Sequence, residues 1–344
     1  MQAVLYNHGK GGSASESAHY QRFFPGQTVV GLDYQAETPW EAGREIRAAA
    51  AALKAEYASV TLIANSIGAY FSMFGGVDAW IDRAFFISPI VDMERLICGR
   101  MAAEHVTEAT LQARGVVPSA FGEPLSWEYL CRVRAHLIRW NAPTAILYGG
   151  RDALTDHETV AAFAERHSAA LTVMEDGEHW FHTPAQMRFL DRWLRDCLFA
   201  VRPLEAAETD AALALAWRVF TEYESPDYTP EGTEEFRKAL HDAQYLSGLR
   251  FYGAFDGDRL IGEIGVRPDR MHICFFFVDG QYHRLGIGTK LFRFLLKDCP
   301  GRTITLNSSP YGLPFYKALG FAATDSEQTV NGIRFTPMAY APDA

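Results

Sequence analysis

Along residues 1–200, short apolar runs alternate with stretches whose apolar residues recur at helical spacing. Ala3–Tyr6, Thr28–Leu32, Val60–Ala64, Ala84–Ile87, Thr144–Tyr148 and Leu171–Met174 predict strands. They are short and mostly apolar instead of alternating, which suits a parallel sheet covered on both faces. Pro39–Tyr57 reads as a helix: Pro39 fits the first helical position, and Ile46, Leu53 and Tyr57 share a face. The strand–helix order predicts an α/β domain with a doubly wound parallel sheet. Residues 92–141 break the rhythm. They show no strand but carry Trp127, Tyr129 and Trp140, and are expected to form a helical lid over the sheet edge.

A different pattern begins at Ala200-Val201-Arg202-Pro203-Leu204. A helix is expected over Asp210–Tyr223, then strands at Phe251–Phe255, Leu260–Val266 and His272–Val278, the first two joined by the Asp256-Gly257-Asp258 turn. A glycine-rich turn, a helix at Thr289–Lys297, a strand at Thr303–Leu306 and a last helix ending at Leu319-Gly320 complete the pattern, with Gly320 as the C-cap glycine. Two domains follow, residues 1–199 (lid about 92–141) and 200–344, the second an α+β unit with a mixed, mostly antiparallel sheet. No Gly/Ser-rich linker separates them, so packing of one on the other is expected.

Composition narrows the function. The chain of 344 residues carries a net charge of -10, and both halves share it: 17 Lys+Arg against 23 Asp+Glu over residues 1–200, and 15 against 19 over 201–344. Neither half offers the basic face that nucleic acid requires. Cys98, Cys131, Cys197, Cys274 and Cys299 are scattered and form no C-x-x-C pair, which points to reduced thiols in the cytoplasm and to no metal site. The N-terminus enters a strand without a charged n-region, so no signal peptide is expected. No apolar stretch reaches the roughly 18 residues of a membrane span.

The strand His272–Val278 runs into Tyr282-His283-Arg284-Leu285-Gly286-Ile287-Gly288-Thr289. Glycines let backbone approach a ligand closely, and free amides at a helix start favour an anion such as pyrophosphate. Further on stands Ser309-Pro-Tyr-Gly-Leu-Pro-Phe315-Tyr316-Lys-Ala-Leu-Gly320-Phe321. With the Val201-Arg202-Pro203-Leu204 opening, these motifs resemble those of the GNAT acetyltransferase superfamily across the whole second half. The resemblance implies acetyl-CoA as co-substrate and no metal. It implies a pantetheine arm paired with the strand end at Phe277 and Val278, a pyrophosphate on the 283–289 turn, and Tyr316 as proton donor to the departing thiolate. His283 stands where Gln or Arg is usual and Ser309 where many members have Asn. No general base stands out; Glu263 and Asp279 are candidates, as is an ordered water. Phe315 and Phe321 are expected to pack the last helix. Between Phe220 and Phe236 lie Glu222, Glu224, Asp227, Glu231, Glu234 and Glu235 with no Lys or Arg. That run reads either as a solvated helix face or as a rim that draws a cationic amine.

In the first half, Val60-Thr-Leu-Ile-Ala64-Asn65-Ser66-Ile67-Gly68 places a serine at a strand-to-helix bend, as a nucleophile elbow does, with Ala64 where Gly is usual. His8-Gly9-Lys10-Gly11-Gly12 follows the first strand, Tyr148-Gly-Gly-Arg-Asp152 the fifth, and Gly177-Glu-His179-Trp-Phe-His182 the sixth. This order resembles the α/β-hydrolase superfamily in a minimal form that lacks the two leading antiparallel strands. It implies a Ser66–His179–Asp152 triad and an oxyanion hole from the amides of Lys10 and Ile67. His182 is the rival base and Asp156 the rival acid. The expected function is a bifunctional enzyme, an N-acetyltransferase for a small amine joined to a serine hydrolase for a small acyl substrate. The alternatives are a hydrolase fold kept as scaffold, or a CoA-binding module that regulates a hydrolase. Sequence leaves the oligomeric state open.

Overall fold

The computed structural model describes residues 1–120, 122–269 and 271–342. Its contacts divide the chain into two compact units, Met1–Leu194 and Arg195–Ala344.

The first unit is built on strands β1 (Gln2–Asn7), β2 (Thr28–Leu32), β3 (Ser59–Asn65) and β4 (Arg83–Ile87), a short hairpin of β5 (Val116–Val117) and β6 (Leu125–Ser126), then β7 (Thr144–Gly149) and β8 (Ala170–Met174). Its helices are α1 (Pro39–Glu56), α2 (Ile67–Phe74), α3 (Met93–Ala103), α4 (Glu108–Arg114), α5 (Trp127–Ala135) and α6 (His157–Arg166); α7 (Pro184–Leu198) runs across the division. The main sheet has the order β2-β1-β3-β4-β7-β8 and is parallel throughout. Each of the six apolar runs becomes one of its strands. Val4, Leu5, Leu62, Ile63 and Phe86 are fully covered, which explains why these strands lack a polar alternation. The segment expected to be strand-free does contain a hairpin, with Val116 opposite Ser126 and Val117 opposite Leu125. Two residues a side are too few to show a period. The hairpin joins α3, α4 and α5 in a satellite core of Met101, Leu111, Val117, Leu125 and Leu130.

The second unit contains β9 (Phe199–Pro203), α8 (Thr209–Tyr223), α9 (Pro230–Ala239), α10 (Ala243–Leu246), β10 (Arg250–Asp256), β11 (Arg259–Arg267), β12 (His272–Val278), α11 (Ile287–Asp298), β13 (Ile304–Ser308), α12 (Leu313–Ala318), β14 (Ala322–Ala323), β15 (Gln328–Val330) and β16 (Ile333–Tyr340). The sheet order is β14-β16-β13-β12-β11-β10-β9, with β15 on β16. Among its described residues, only β12 and β13 pair in parallel. Helix α8 buries Ala212, Leu215, Ala216, Val219 and Phe220, one stripe at helical spacing, in a core with Phe275 and Phe277. The other face of the sheet meets α11: a side-chain carbon at Gly262 would touch Leu291 and Ile287.

Candidate functional sites

Ser66 sits between β3 and α2 with φ 52° and ψ -120°, a conformation costly for a residue with a side chain and kept where surrounding structure enforces it. The bend is possible because Gly68 is bare. A side-chain carbon there would lie 2.4 Å from the His8 carbonyl oxygen and 2.8 Å from that of Asn7. Ala64 is fully buried in β3, so the small residue at that position fits without a glycine.

The loop after β7 is tied to the loop after β8. Gly150 N donates to Met174 O and Arg151 N to Gly177 O, both at 2.8 Å. Gly149 and Gly150 allow this approach, since side-chain carbons there would stand 2.6 Å from the carbonyls of Glu178 and Glu175. The result brings Asp152 to His179. His179 Nδ1 lies 2.7 Å from Asp152 Oδ2, and His179 Nε2 lies 2.7 Å from Ser66 Oγ. The Asp152 side chain is fully buried, and its other oxygen accepts from the amides of Leu154 and Thr155 at 2.8 and 3.1 Å. That arrangement fixes the carboxylate, and the carboxylate fixes the imidazole. The rivals are elsewhere. His182 has an exposed ring whose Nδ1 bonds the Trp180 carbonyl at 2.7 Å. Asp156 caps α6 through the Thr159 amide and pairs with Arg95 at 3.0 Å, contacts that hold its carboxyl below the usual range.

Ser66 and His179 open into a cavity of 580 Å³ that Lys10 and Ile67 also line. Its walls are apolar toward the lid, with Trp40, Met93, Leu96, Ile97, Leu125 and Tyr129. Lys10 and Arg100 both bind Glu123 at the rim, Arg100 at 2.9 Å. Burial pulls the Glu123 carboxyl up, and hydrogen bonds from the two cations bring it below its ordinary value.

In the second unit, β12 pairs with β13 only at His272 and Ile273, opposite Thr305 and Leu306. Beyond that point the strands part, and the edge of β12 from Cys274 to Val278 faces open space toward β13. Two cavities occupy the gap. One, of 590 Å³, is lined by Phe277, Val278, His283, Arg284, Gly286, Ile287, Gly288 and Thr289 from the strand end and the turn, and by Tyr311, Phe315 and Tyr316 opposite. Leu285 is not part of its lining; its side chain is buried and its amide donates to Tyr282 O at 3.4 Å. The His283 amide is also spent, on Gly280 O, and its Nε2 bonds Val278 O at 2.8 Å. The amides of Gly286, Ile287 and Gly288 fall at the start of α11, where a helix has no acceptor of its own to offer. Arg284 and Gly286 carry φ of 63° and 76°, which turns the chain sharply into that helix. Phe315 does not pack the last helix into the core as expected. It is 37% exposed and lines this cavity, whereas Phe321, at 3%, is core.

The second cavity, of 670 Å³, is lined by residues of α9 and α10 and by β12 from His272 to Phe277. Glu224, Phe276, Phe277 and Tyr316 line both cavities. Neither expected base is among them. Asp279 is bound by Arg218 at 3.0 Å and Arg259 at 2.8 Å; burial pulls its carboxyl up, and the Gln281 amide and Arg218 hold it below the usual range. Glu263 is fully buried in β11, on the face that α8 covers, and burial keeps its carboxyl well above the ordinary range. The sequence names Glu224 only as one of six acids in a candidate rim and not as a candidate base. Burial pushes its carboxyl up to about 7, the Ser309 hydroxyl pulls it down, and Asp227 adds a push upward. A signal was available: Ala212, Ala216 and Phe220 form the buried stripe of α8 at spacing four, and Glu224 is the next position on it. Tyr316 is raised above the ordinary tyrosine range by burial and then by Glu224 and Glu263.

Among the described residues no group of His, Cys, Asp and Glu could hold a metal ion, and no helix is long and apolar enough to cross a membrane.

Residues 224–342 match the family model of the acetyltransferase (GNAT) domain. No curated protein matches the chain. Among solved structures, a GCN5-related N-acetyltransferase described as aminotransferase class II from Rhodopseudomonas palustris is 22% identical, covering 42% of this chain and 95% of its own, with a TM-score of 0.38. The PaiA N-acetyltransferase of Thermoplasma acidophilum in complex with coenzyme A is 18% identical, covering 42% and 99%, with a TM-score of 0.34. Est1E from Butyrivibrio proteoclasticus is 15% identical, covering 56% and 88%, with a TM-score of 0.44. Residues 224–342 thus match the acetyltransferase (GNAT) domain model, and they follow an N-terminal unit built on a six-stranded parallel sheet with helices.

Proposed function

We propose that the chain is a bifunctional enzyme, an acetyl-CoA-dependent N-acetyltransferase joined to a serine hydrolase acting on a small ester, thioester or amide. The hydrolase reading is carried by one observation: Ser66 Oγ, the His179 ring and Asp152 stand in line with both contacts at 2.7 Å, at the base of an apolar cavity. His179 takes the Ser66 proton as the hydroxyl attacks, Asp152 stabilises the imidazolium, and the Lys10 and Ile67 amides receive the developing oxyanion. For the acetyltransferase, the parting of β12 from β13 supports a pantetheine arm on the free strand edge, with pyrophosphate on the α11 turn and Tyr316 at the thioester end. Among the described residues no cysteine forms a disulfide, which fits a reducing compartment such as the cytoplasm.

The test uses the intact protein with a fluorophosphonate probe and an acetyl-CoA titration. Only an activated serine attacks such a probe at neutral pH. Ser66→Ala is expected to abolish labelling and leave acetyl-CoA affinity unchanged; labelling that persists removes Ser66 from its role. Tyr316→Phe is expected to lower thiol release with acetyl-CoA affinity kept, because the lost proton matters only in the transition state.

A further inference from the structure

The two cavities of the second unit meet at Glu224 and Tyr316. If the α11 turn holds the cofactor, the acyl end lies at this junction and the acceptor enters through the other cavity. The lining of that cavity defines what fits. Phe220, Tyr228, Phe236, Tyr245 and Phe335 contribute aromatic surface to it. Phe236 stacks on Phe220 at 4.0 Å and meets Phe277 edge-on at 5.8 Å, so the wall is a braced aromatic cluster. The charges at its outer end are already committed. Lys238 pairs with Glu235 at 3.5 Å, and Asp242 accepts from the amides of Gln244 and Tyr245 at 2.9 and 3.0 Å. Glu224, at the inner end, has no cation against it among the described residues.

Of the three carboxylates lining this aromatic slot, Glu235 is paired with Lys238 and Asp242 caps α10, which leaves Glu224 at the inner end to meet a cation, and that matches one kind of molecule. We infer that the acceptor is a primary amine carrying one positive charge on an aromatic body, an arylalkylamine, and that Glu224 binds its ammonium group and serves as the general base. The inference rests on the acetyltransferase reading. The proton balance is complete. Glu224 takes one proton from the ammonium, and the freed amine attacks the thioester carbonyl, forming the C–N bond. The C–S bond breaks, Tyr316 protonates the leaving sulfur, and the nitrogen returns a proton to the tyrosinate. Glu224 releases its proton to solvent. The products are the N-acetyl amine, the free thiol and one proton. A carboxyl poised near neutrality is matched to this task.

The experiment follows thiol release by the full chain with acetyl-CoA and either 2-phenylethylamine, spermidine or glycine. The expected result is a kcat/KM for 2-phenylethylamine at least about tenfold above the others, the scale of one well-filled apolar contact. Its pH profile is expected to rise through an inflection near 7 as Glu224 ionises. Burial sets that value first, with Ser309 lowering it and Asp227 raising it; Tyr228 and Tyr316 are the other titratable groups that face Glu224. Glu224→Gln is expected to lower kcat on the order of 10²-fold at pH 7, to lose the inflection, and to regain rate at high pH where the amine is already free. Phe236→Ala is expected to raise KM for 2-phenylethylamine while leaving acetyl-CoA affinity, measured by calorimetry, unchanged. Normal turnover of Glu224→Gln at pH 7, or preference for spermidine or glycine, overturns the inference and leaves the acetyltransferase standing. Failure of acetyl-CoA to bind overturns both.

Discussion

His179 shows how much of a catalytic reading is decided by one ring. It stands three positions before His182, and the sequence makes both histidines candidates. The structure separates them by what each nitrogen touches: both His179 nitrogens face partners, Asp152 and Ser66, at 2.7 Å, while the His182 ring is exposed against the Trp180 carbonyl. His179→Ala is therefore expected to cost on the order of 10⁴–10⁶-fold in hydrolytic turnover, with His182→Ala within a factor of a few of the parent enzyme. Steady-state rates on an activated ester decide it; the assignment is lost if the large effect follows His182. The serine, the acid and the histidine were readable because each lies at the end of a strand whose apolar run is plain and whose glycines flag a tight turn. Glu224 was not, because it hides in a run of six acids. Five of them read as solvated surface, and only the continuation of the α8 stripe marks the sixth.

At the scale of elements, burial on both faces of the sheet makes the strands legible and also makes one of them costly. Glu263 occupies the middle of β11 with both carboxyl oxygens buried, and burial raises its carboxyl well above the ordinary range, an effect the Phe277 backbone amide offsets only in part. The folded chain thus keeps this proton at pH values where the unfolded chain, titrating at about 4.3, has lost it. Its contribution is fully present below that value and is lost as pH rises, by about 1.4 kcal/mol per pH unit, until the folded group itself ionises. Glu263→Gln removes the titration and is expected to melt higher than wild type at pH 7 while matching it near pH 4. The relevant transition is the one that acetyl-CoA shifts upward. Parallel pH slopes for the two proteins would exclude the idea. Other elements escaped the sequence for reasons equally local. The lid hairpin is too short for a period, and β16 carries Pro337 in a strand with neighbours on both sides, a residue that argues against a paired strand.

At the scale of the molecule, the Ser66 cavity belongs to the first unit and the α11-turn cavity to the second, and the residues lining them do not overlap. This bears on whether the chain has two activities or one activity and a sensor. A side-chain carbon at Gly288 would stand 2.7 Å from the Phe315 ring, inside the cavity assigned to the cofactor. Gly288→Asp adds that bulk together with a negative charge facing a pyrophosphate. Acetyl-CoA affinity is expected to fall at least about tenfold, the equivalent of 1.4 kcal/mol, as read by calorimetry on the full chain. In the bifunctional reading, the rate of fluorophosphonate labelling at Ser66 is the same in Gly288→Asp as in wild type, and saturating acetyl-CoA leaves that rate unchanged in both. A sensor behaves otherwise. A ligand that shifts the hydrolase must bind its two states unequally, and by reciprocity the labelled serine must change acetyl-CoA affinity by the same factor. Labelling that responds to acetyl-CoA in wild type and stops responding in Gly288→Asp would therefore replace the bifunctional enzyme with a hydrolase under coenzyme control. Wild-type affinity in Gly288→Asp would instead show that the cofactor cavity has been placed on the wrong turn.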